Sequence, residues 1–154
     1  MNIRVDDLSS EDIAAFLADH VNDMISVSPP ESRHVLDLDG LRKPEITFWS
    51  MREAGQIIAC GALKTITRDH AEFKSMRTSR QHRGRGCASL MLRHILGEAQ
   101  ARGYRRVSIE TGSMTFFKPA HALYAKHGFE VCPPFGDYRE DPNSVFMTLR
   151  LPGV

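Results

Sequence analysis

Between Ala88 and Ala99 the residues Ala88, Met91, Leu92, Ile95, Leu96 and Ala99 recur at i, i+3, i+4, i+7, i+8 and i+11. Arg93, His94, Glu98 and Gln100 fall on the other side. This is the stripe of an amphipathic helix with a 3.6-residue period. Leu90 is the one misfit, and Gly103 is placed to stop the helix. Just before it, "HAEFKSMRTS" alternates in the manner of a strand. The two are joined by Arg80–Ala88, "RQHRGRGCA", which holds three arginines, a histidine and two glycines. A strand that passes through a glycine-rich turn into an amphipathic helix must lay that helix back on the sheet, because the apolar stripe has nowhere else to be buried.

The remaining segments complete a mixed sheet. Ile3–Val5 reads as a first strand. Ser9 is placed to cap a following helix, with Asp12 at its positive end, and Ile13, Phe16, Leu17, Val21 and Met24 have helical spacing. Pro29 and Pro30 break that helix, and Glu31 to Leu41 is expected to form a shorter second one. "EITFWSM" and "GQIIACGALKTI" are strand-like, and "REAG" between them reads as a hairpin turn. After the central helix, "RRVSIET" is a strand. "KPAHALYAKHG" is a compact helix with Pro119 in its first turn and Gly128 after its end. "FEVC" begins another strand, "PPFGDYREDPN" is a loop, and "SVFMTLRL" is the closing strand. The expected order is β-α-α-β-β-β-α-β-α-β-β, an α/β mixed sheet in a single domain over residues 1–154.

Bulk properties narrow the function. The chain has 154 residues and a formal net charge of +1, so no global field draws it to nucleic acid or to a membrane surface. No apolar run approaches the roughly 18 residues a membrane span needs, and the N-terminus lacks the layout of a signal peptide. Cys60, Cys87 and Cys132 are odd in number and far apart, which reads as reduced thiols in a cytoplasmic protein. No cluster has metal-ligand spacing, so no metal is expected.

The positive charge is local: Lys74, Arg77, Arg80, Arg83 and Arg85 lie within twelve residues. Three readings compete for the turn they surround. One is a solvated surface turn, one a nucleic-acid patch, and one a cradle for a phosphorylated cofactor. A nucleic-acid patch would come with a wider basic face or stacking aromatics. A phosphate cradle needs what is present: Gly84 and Gly86 for close backbone approach, a helix start with unpartnered N–H groups, forked donors on Arg83 and Arg85, and small Ala88 and Ser89. Walker A fails for want of GK[ST], and the dinucleotide fingerprint fails because its last glycine position is Ser89.

What remains, Gln81-x-x-Gly84-x-Gly86, resembles the Q/R-x-x-G-x-G/A motif of the GNAT superfamily of N-acetyltransferases. "AHALYAKHGF", from Ala120 to Phe129, resembles that family's second motif, A-x-x-L-Y-x-x-x-G-F. The two together are far more specific than either alone. The wording of "SPPES", "SMRTS", "ETGS" and "DYREDPNSVFM" is similar to a YsnE-like bacterial subgroup. The resemblance implies a GNAT-like fold and acetyl-CoA as co-substrate. It implies pyrophosphate bound by the backbone from Arg83 to Ala88, with Gln81, Arg83, Gly84, Arg85, Gly86, Cys87 and Ala88 around it. The pantetheine arm would pair with Met76, Arg77 and Thr78, where a backbone N–H is placed to polarise the thioester carbonyl. Tyr124 matches the tyrosine near the cofactor sulfur, a proton donor for the departing thiolate; a ring that merely packs is the alternative. One position departs. Many members carry asparagine where this chain has Phe117, which then walls the pocket or packs in the core.

The implied reaction is attack of a primary amine of a small molecule or amino acid on the acetyl thioester in a ternary complex. An ammonium cannot attack, so a base is required. Glu72 is a candidate, on the strand with Lys74 and Met76 and expected on the same face as both. Glu110, on the neighbouring strand, is the other. Either is alternatively a salt-bridged structural carboxylate. His34 and Tyr138 are weaker candidates. Ser28, Ser32, Arg33, His34 and Lys74, with the loop "DYREDPNS", would shape the acceptor site. The chain is expected to act as a monomer or homodimer. A non-catalytic acyl-CoA-binding sensor is the rival reading.

Overall fold

A computed structural model describes residues 2–27 and 38–152. The strands are β1 (Asn2–Val5), β2 (Ile46–Glu53), β3 (Gln56–Thr65), β4 (His70–Thr78), β5 (Arg106–Gly112), β6 (Glu130–Val131) and β7 (Ser144–Arg150). The helices are α1 (Glu11–Val27), α2 (Leu38–Leu41), α3 (Cys87–Ala101) and α4 (Lys118–Lys126). They follow one another as expected from the sequence, and the strands form one seven-stranded sheet in the order β1-β2-β3-β4-β5-β7-β6.

The hairpin at "REAG" has the tightest form. Glu53 pairs with Gln56, and both turn residues take positive φ, Ala54 at 51° and Gly55 at 79°. Such a turn carries the right-handed twist of the flanking strands. The sheet is antiparallel except between β4 and β5. That one parallel pair requires a crossover, and α3 is the crossover.

Helices cover both faces. On one side Met91, Leu92, Ile95 and Ala99 of α3, with Tyr124 and Phe129, pack on Trp49, Leu63, Phe73, Val107 and Ile109. On the other, Ile13 and Leu17 of α1 and Leu41 of α2 pack on Phe48, Cys60 and Ala62. Leu90, off the apolar stripe, is exposed. α3 comes close to the sheet at Gly61, where a Cβ would lie 2.8 Å from Ile95 and 3.2 Å from Met91. Among the described residues no helix is long and apolar enough to cross a membrane.

Two expectations shift, and a further one lies partly outside the described residues. The first helix starts at Glu11, and the Ser10 carbonyl accepts the N–H of Ala14; the Ser9 hydroxyl donates to Asp7 instead. Within the second expected helix, the described part is Leu38–Leu41. Ser28, Ser32, Arg33 and His34 lie outside the described residues, as do the side chains of Val21 and Met24. The other shift concerns β4. Glu72 and Lys74 share a face, but Met76 does not join them. Lys74 pairs with Ala62 and Arg77 with Cys60, so Gly61 alone opposes both Ser75 and Met76. This β-bulge, with Ser75 at φ 58°, inserts one residue and reverses the alternation. Met76 therefore packs toward the α3 side.

Gly61→Val should overpack the contact between α3 and β3. The expected loss is about 1–3 kcal/mol, read as a lower urea midpoint with unchanged slope.

Candidate active site

β4 and β5 pair only over His70–Glu72 and Arg106–Ser108. Each continues beyond that point, to Thr78 and Gly112, without its neighbour. The bulge falls in this unpaired stretch of β4. Ser75 and Met76 are outside the regular ladder with β3, and the buried Cys60 thiol donates to the Ser75 carbonyl at 3.2 Å. Burial pushes the Cys60 thiol up to about 12, so it stays protonated and keeps its hydrogen to donate.

On the α3 side of this stretch is a cleft of about 310 Å³. Met76, Arg77, Thr78, Arg83, Ala88, Phe117 and Tyr124 line it, together with Phe116, Pro119, Ala120 and Leu123. Seven of the residues expected to hold the cofactor are thus brought together. Gly84 and Gly86 stand beside it with φ of 80° and 81°. Neither has any atom within 4 Å of where a Cβ would be, so their backbone is bare to a ligand. Gly86 is the N-cap of α3, and its carbonyl takes the first helical hydrogen bond, from Leu90 at 3.0 Å. It has no side chain to cap the N–H groups of the following turn, and that turn holds no acidic residue. Fifteen residues of helix thus direct their positive end toward the cleft.

Other expected cofactor residues are placed differently. Cys87 is 1% exposed and belongs to the core, so it offers its backbone and not its thiol. Arg85 reaches Glu53 at 3.3 Å. Gln81 lines a neighbouring groove of about 720 Å³ on the α1 side, with Asp12, Phe16, Arg77 and Arg80.

Tyr124 is 3% exposed, with its ring edge-on to Phe73 and tilted against Phe129. Burial alone raises its hydroxyl above the usual phenol range, which keeps it in the proton-bearing form. Phe117 is both cleft wall and core residue: it is 8% exposed and packs edge-on to Phe116. Its ring occupies the space a Gly112 side chain would need.

The opposite face of β4 and β5 is polar. Glu72 is 4% exposed. The Tyr138 hydroxyl donates to its Oε2 at 2.5 Å, and Lys74 Nζ lies 3.6 Å from the same oxygen. Burial lowers the Lys74 ammonium, while Glu72 and Glu110 work in the other direction. Glu110 accepts from the Ser144 hydroxyl at 2.7 Å. Both candidate bases therefore sit on one side of the gap and the cleft on the other. The sequence had assigned Tyr138 and Lys74 other or lesser roles. The Tyr138 contact with Glu72 joins positions 66 residues apart, and no local pattern records that.

Parted parallel strands, a bulge at the parting and an uncapped, glycine-led helix start are the parts of an acyltransferase that takes its acyl group from coenzyme A. The residues present fit such a donor: bare backbone and a helix start for its phosphates, an apolar cleft for its arm. The chain belongs to the acetyltransferase (GNAT) family, whose model matches residues 13–129. It is 52% identical over 151 residues to the N-acetyltransferase YsnE of Bacillus subtilis, covering 98% of this chain and 100% of that one. With the N-acetyltransferase YedL of Escherichia coli the identity is 50%, over 97% and 94% of the two chains. The fold is similar to that of N-acetylglutamate synthase from Neisseria gonorrhoeae, a structure complexed with coenzyme A and N-acetyl-glutamate. The TM-score is 0.74 at 20% identity, over 98% of this chain and 35% of that longer one. The protein is an acetyl-CoA-dependent N-acetyltransferase of the YsnE-like subgroup.

Gly86→Val forces a β-branched side chain into left-handed backbone, which costs roughly 1–2 kcal/mol. Acetyl-CoA affinity should fall about five- to thirtyfold by calorimetry, and by more than in Arg80→Ala. Gly112→Ala should displace the Phe117 ring and weaken acetyl-CoA binding, although residue 112 does not line the cleft.

Proposed function

We propose that the protein acetylates the primary amine of a small molecule or amino acid by direct attack in a ternary complex. The observation that carries this is the two-sided gap between β4 and β5. The donor cleft opens on one face, and two carboxylates, Glu72 and Glu110, stand on the other. Acetyl-CoA supplies an activated acyl carbonyl. An amine that meets it from the Glu72 side would do so beside an acceptor for its proton.

In this reading Glu72 removes the proton, because it is buried and held in place by Tyr138 and Lys74. Glu110 supplies a second negative charge that favours an arriving ammonium. The bulged backbone at Met76 polarises the acyl carbonyl, a stabilisation specific to the transition state. Tyr124 gives its proton to the leaving sulfur, and because burial disfavours its phenolate it recovers a proton from solvent as coenzyme A departs. Lys74 offers a positive charge for a carboxylate on an amino-acid acceptor. The free thiols Cys60, Cys87 and Cys132 fit a reducing, cytoplasmic setting. Because the described site is built within one chain, it serves a monomer or a homodimer equally.

The test is release of free thiol from acetyl-CoA across a panel of small amines and amino acids. Turnover with one of them is expected; binding of acetyl-CoA with no turnover across the panel would instead support a sensor. Tyr124→Phe should slow kcat roughly tenfold or more while acetyl-CoA affinity stays nearly constant. An unchanged kcat would remove Tyr124 from the mechanism.

A further inference from the structure

The loop between β6 and β7 holds Tyr138 over the sheet by a short turn. The Tyr138 N–H bonds the Phe135 carbonyl at 3.1 Å, and Gly136 between them takes φ 57°. A type I′ or II′ turn needs positive φ at that position. The turn sends two rings down onto the polar face. Phe135 is 6% exposed and packs edge-on to Phe146, with His70 tilted against it. Tyr138 packs edge-on to Phe135 and tilted to Phe146. With its ring fixed in this way, the Tyr138 hydroxyl is aimed at Glu72, and it donates to Oε2 at 2.5 Å. Lys74 approaches that same oxygen. Both contacts are made to Oε2, so Oε1 takes neither.

We infer that Tyr138 is a positioning residue for proton removal: it pins one oxygen of Glu72 so that the other is presented to the acceptor amine. This rests on Glu72 being the base. The arrangement also ties the base to the loop that borders the acceptor site. A Tyr138 displaced with its turn would leave Glu72 with Lys74 alone, and the carboxylate would swing toward the ammonium. Burial and the Glu72 and Glu110 charges keep the Tyr138 phenol protonated, so it acts as a donor throughout the working pH range.

The pH dependence follows from the sign of the hydrogen bond. A donor to a carboxylate favours the charged form and lowers its pKa. Tyr138→Phe removes that donor from the charged form, so the acid limb of kcat/KM moves to higher pH. Among the described residues, the other titratable groups near Glu72 are Lys64 on β3, His70 and Lys74 on β4 and Glu110 on β5. All of them remain in the Tyr138→Phe variant.

The experiment compares Tyr138→Phe and Glu72→Gln in the full chain, with thiol release measured from pH 5 to 9 and acetyl-CoA affinity by calorimetry. For Tyr138→Phe the expected result is an acid limb shifted up by about half a pH unit or more. A kcat about tenfold lower should accompany it, with acetyl-CoA affinity and melting temperature near those of the parent. For Glu72→Gln the expected result is loss of the limb and of most turnover, with cofactor binding kept. If Glu72→Gln keeps its rate and limb, Glu72 is not the base and the inference falls with it. If Glu72→Gln is inactive but Tyr138→Phe keeps the parent limb and kcat, the base stands and the positioning role is overturned. Should Tyr138→Phe melt early, Gly136→Ala, which strains the turn but keeps the phenol, must show the same limb shift or the inference fails.

Discussion

One extra residue in β4 organises the site. Gly61 opposes both Ser75 and Met76, and from there the faces of the strand are exchanged. Glu72 and Lys74 stay on the polar side while Met76 turns to the cleft. Without the bulge, Met76 would share a face with the charged pair, as simple alternation expects, and the backbone at the parting would be committed to the ladder with β3. The bulge is held from below. The Cys60 thiol, protonated because it is buried, gives a hydrogen to the Ser75 carbonyl and partly offsets the strain of a left-handed serine. Gly61 has no side chain, so α3 can press against the same point from the other face. The cofactor-side geometry therefore depends on residues that never touch a ligand.

The architecture was legible because it is written in local patterns. The stripe from Ala88 to Ala99, the two glycines before it and the proline and glycine around α4 each specify one element at short range, and all the elements occur in the expected order. The glycine-led start of α3 beside the cleft was legible for the same reason. It is a feature of backbone, and backbone conformation follows from glycine spacing and helix starts. The exceptions are side chains: Cys87 turned out to be core, Arg85 is engaged by Glu53, and Gln81 faces the groove beside α1. A motif letter says that a residue type occurs at a place. It does not say whether the side chain or the peptide is used.

The polar side was less legible, because it is assembled from distant pieces. Glu72 and Glu110 were found as acids on adjacent strands. The bulge, however, cannot be read from "EFKSMRT", since no glycine marks it; Ser75 takes the left-handed position that glycine would have advertised. Tyr138 reaches Glu72 from another part of the chain. Its contact follows from the fold of the β6–β7 loop and the rings beneath it, not from any spacing.

The two faces obey different physics. On the cleft face the proposed cofactor contacts are N–H groups, a helix dipole and two bare glycines, which tolerate many side-chain changes but few changes of backbone. On the polar face Glu72 is buried and Lys74 and Glu110 are partly buried, and the charge of Glu72 is tolerable because Tyr138 and Lys74 answer it. Removing one partner there exposes the rest to an uncompensated charge. Substitutions on that face are therefore coupled, and a change at Glu72 affects Lys74 and the Tyr138 turn as well. The bulge puts the two sets on opposite faces of a single strand, so the charges of one face are insulated from the cleft on the other.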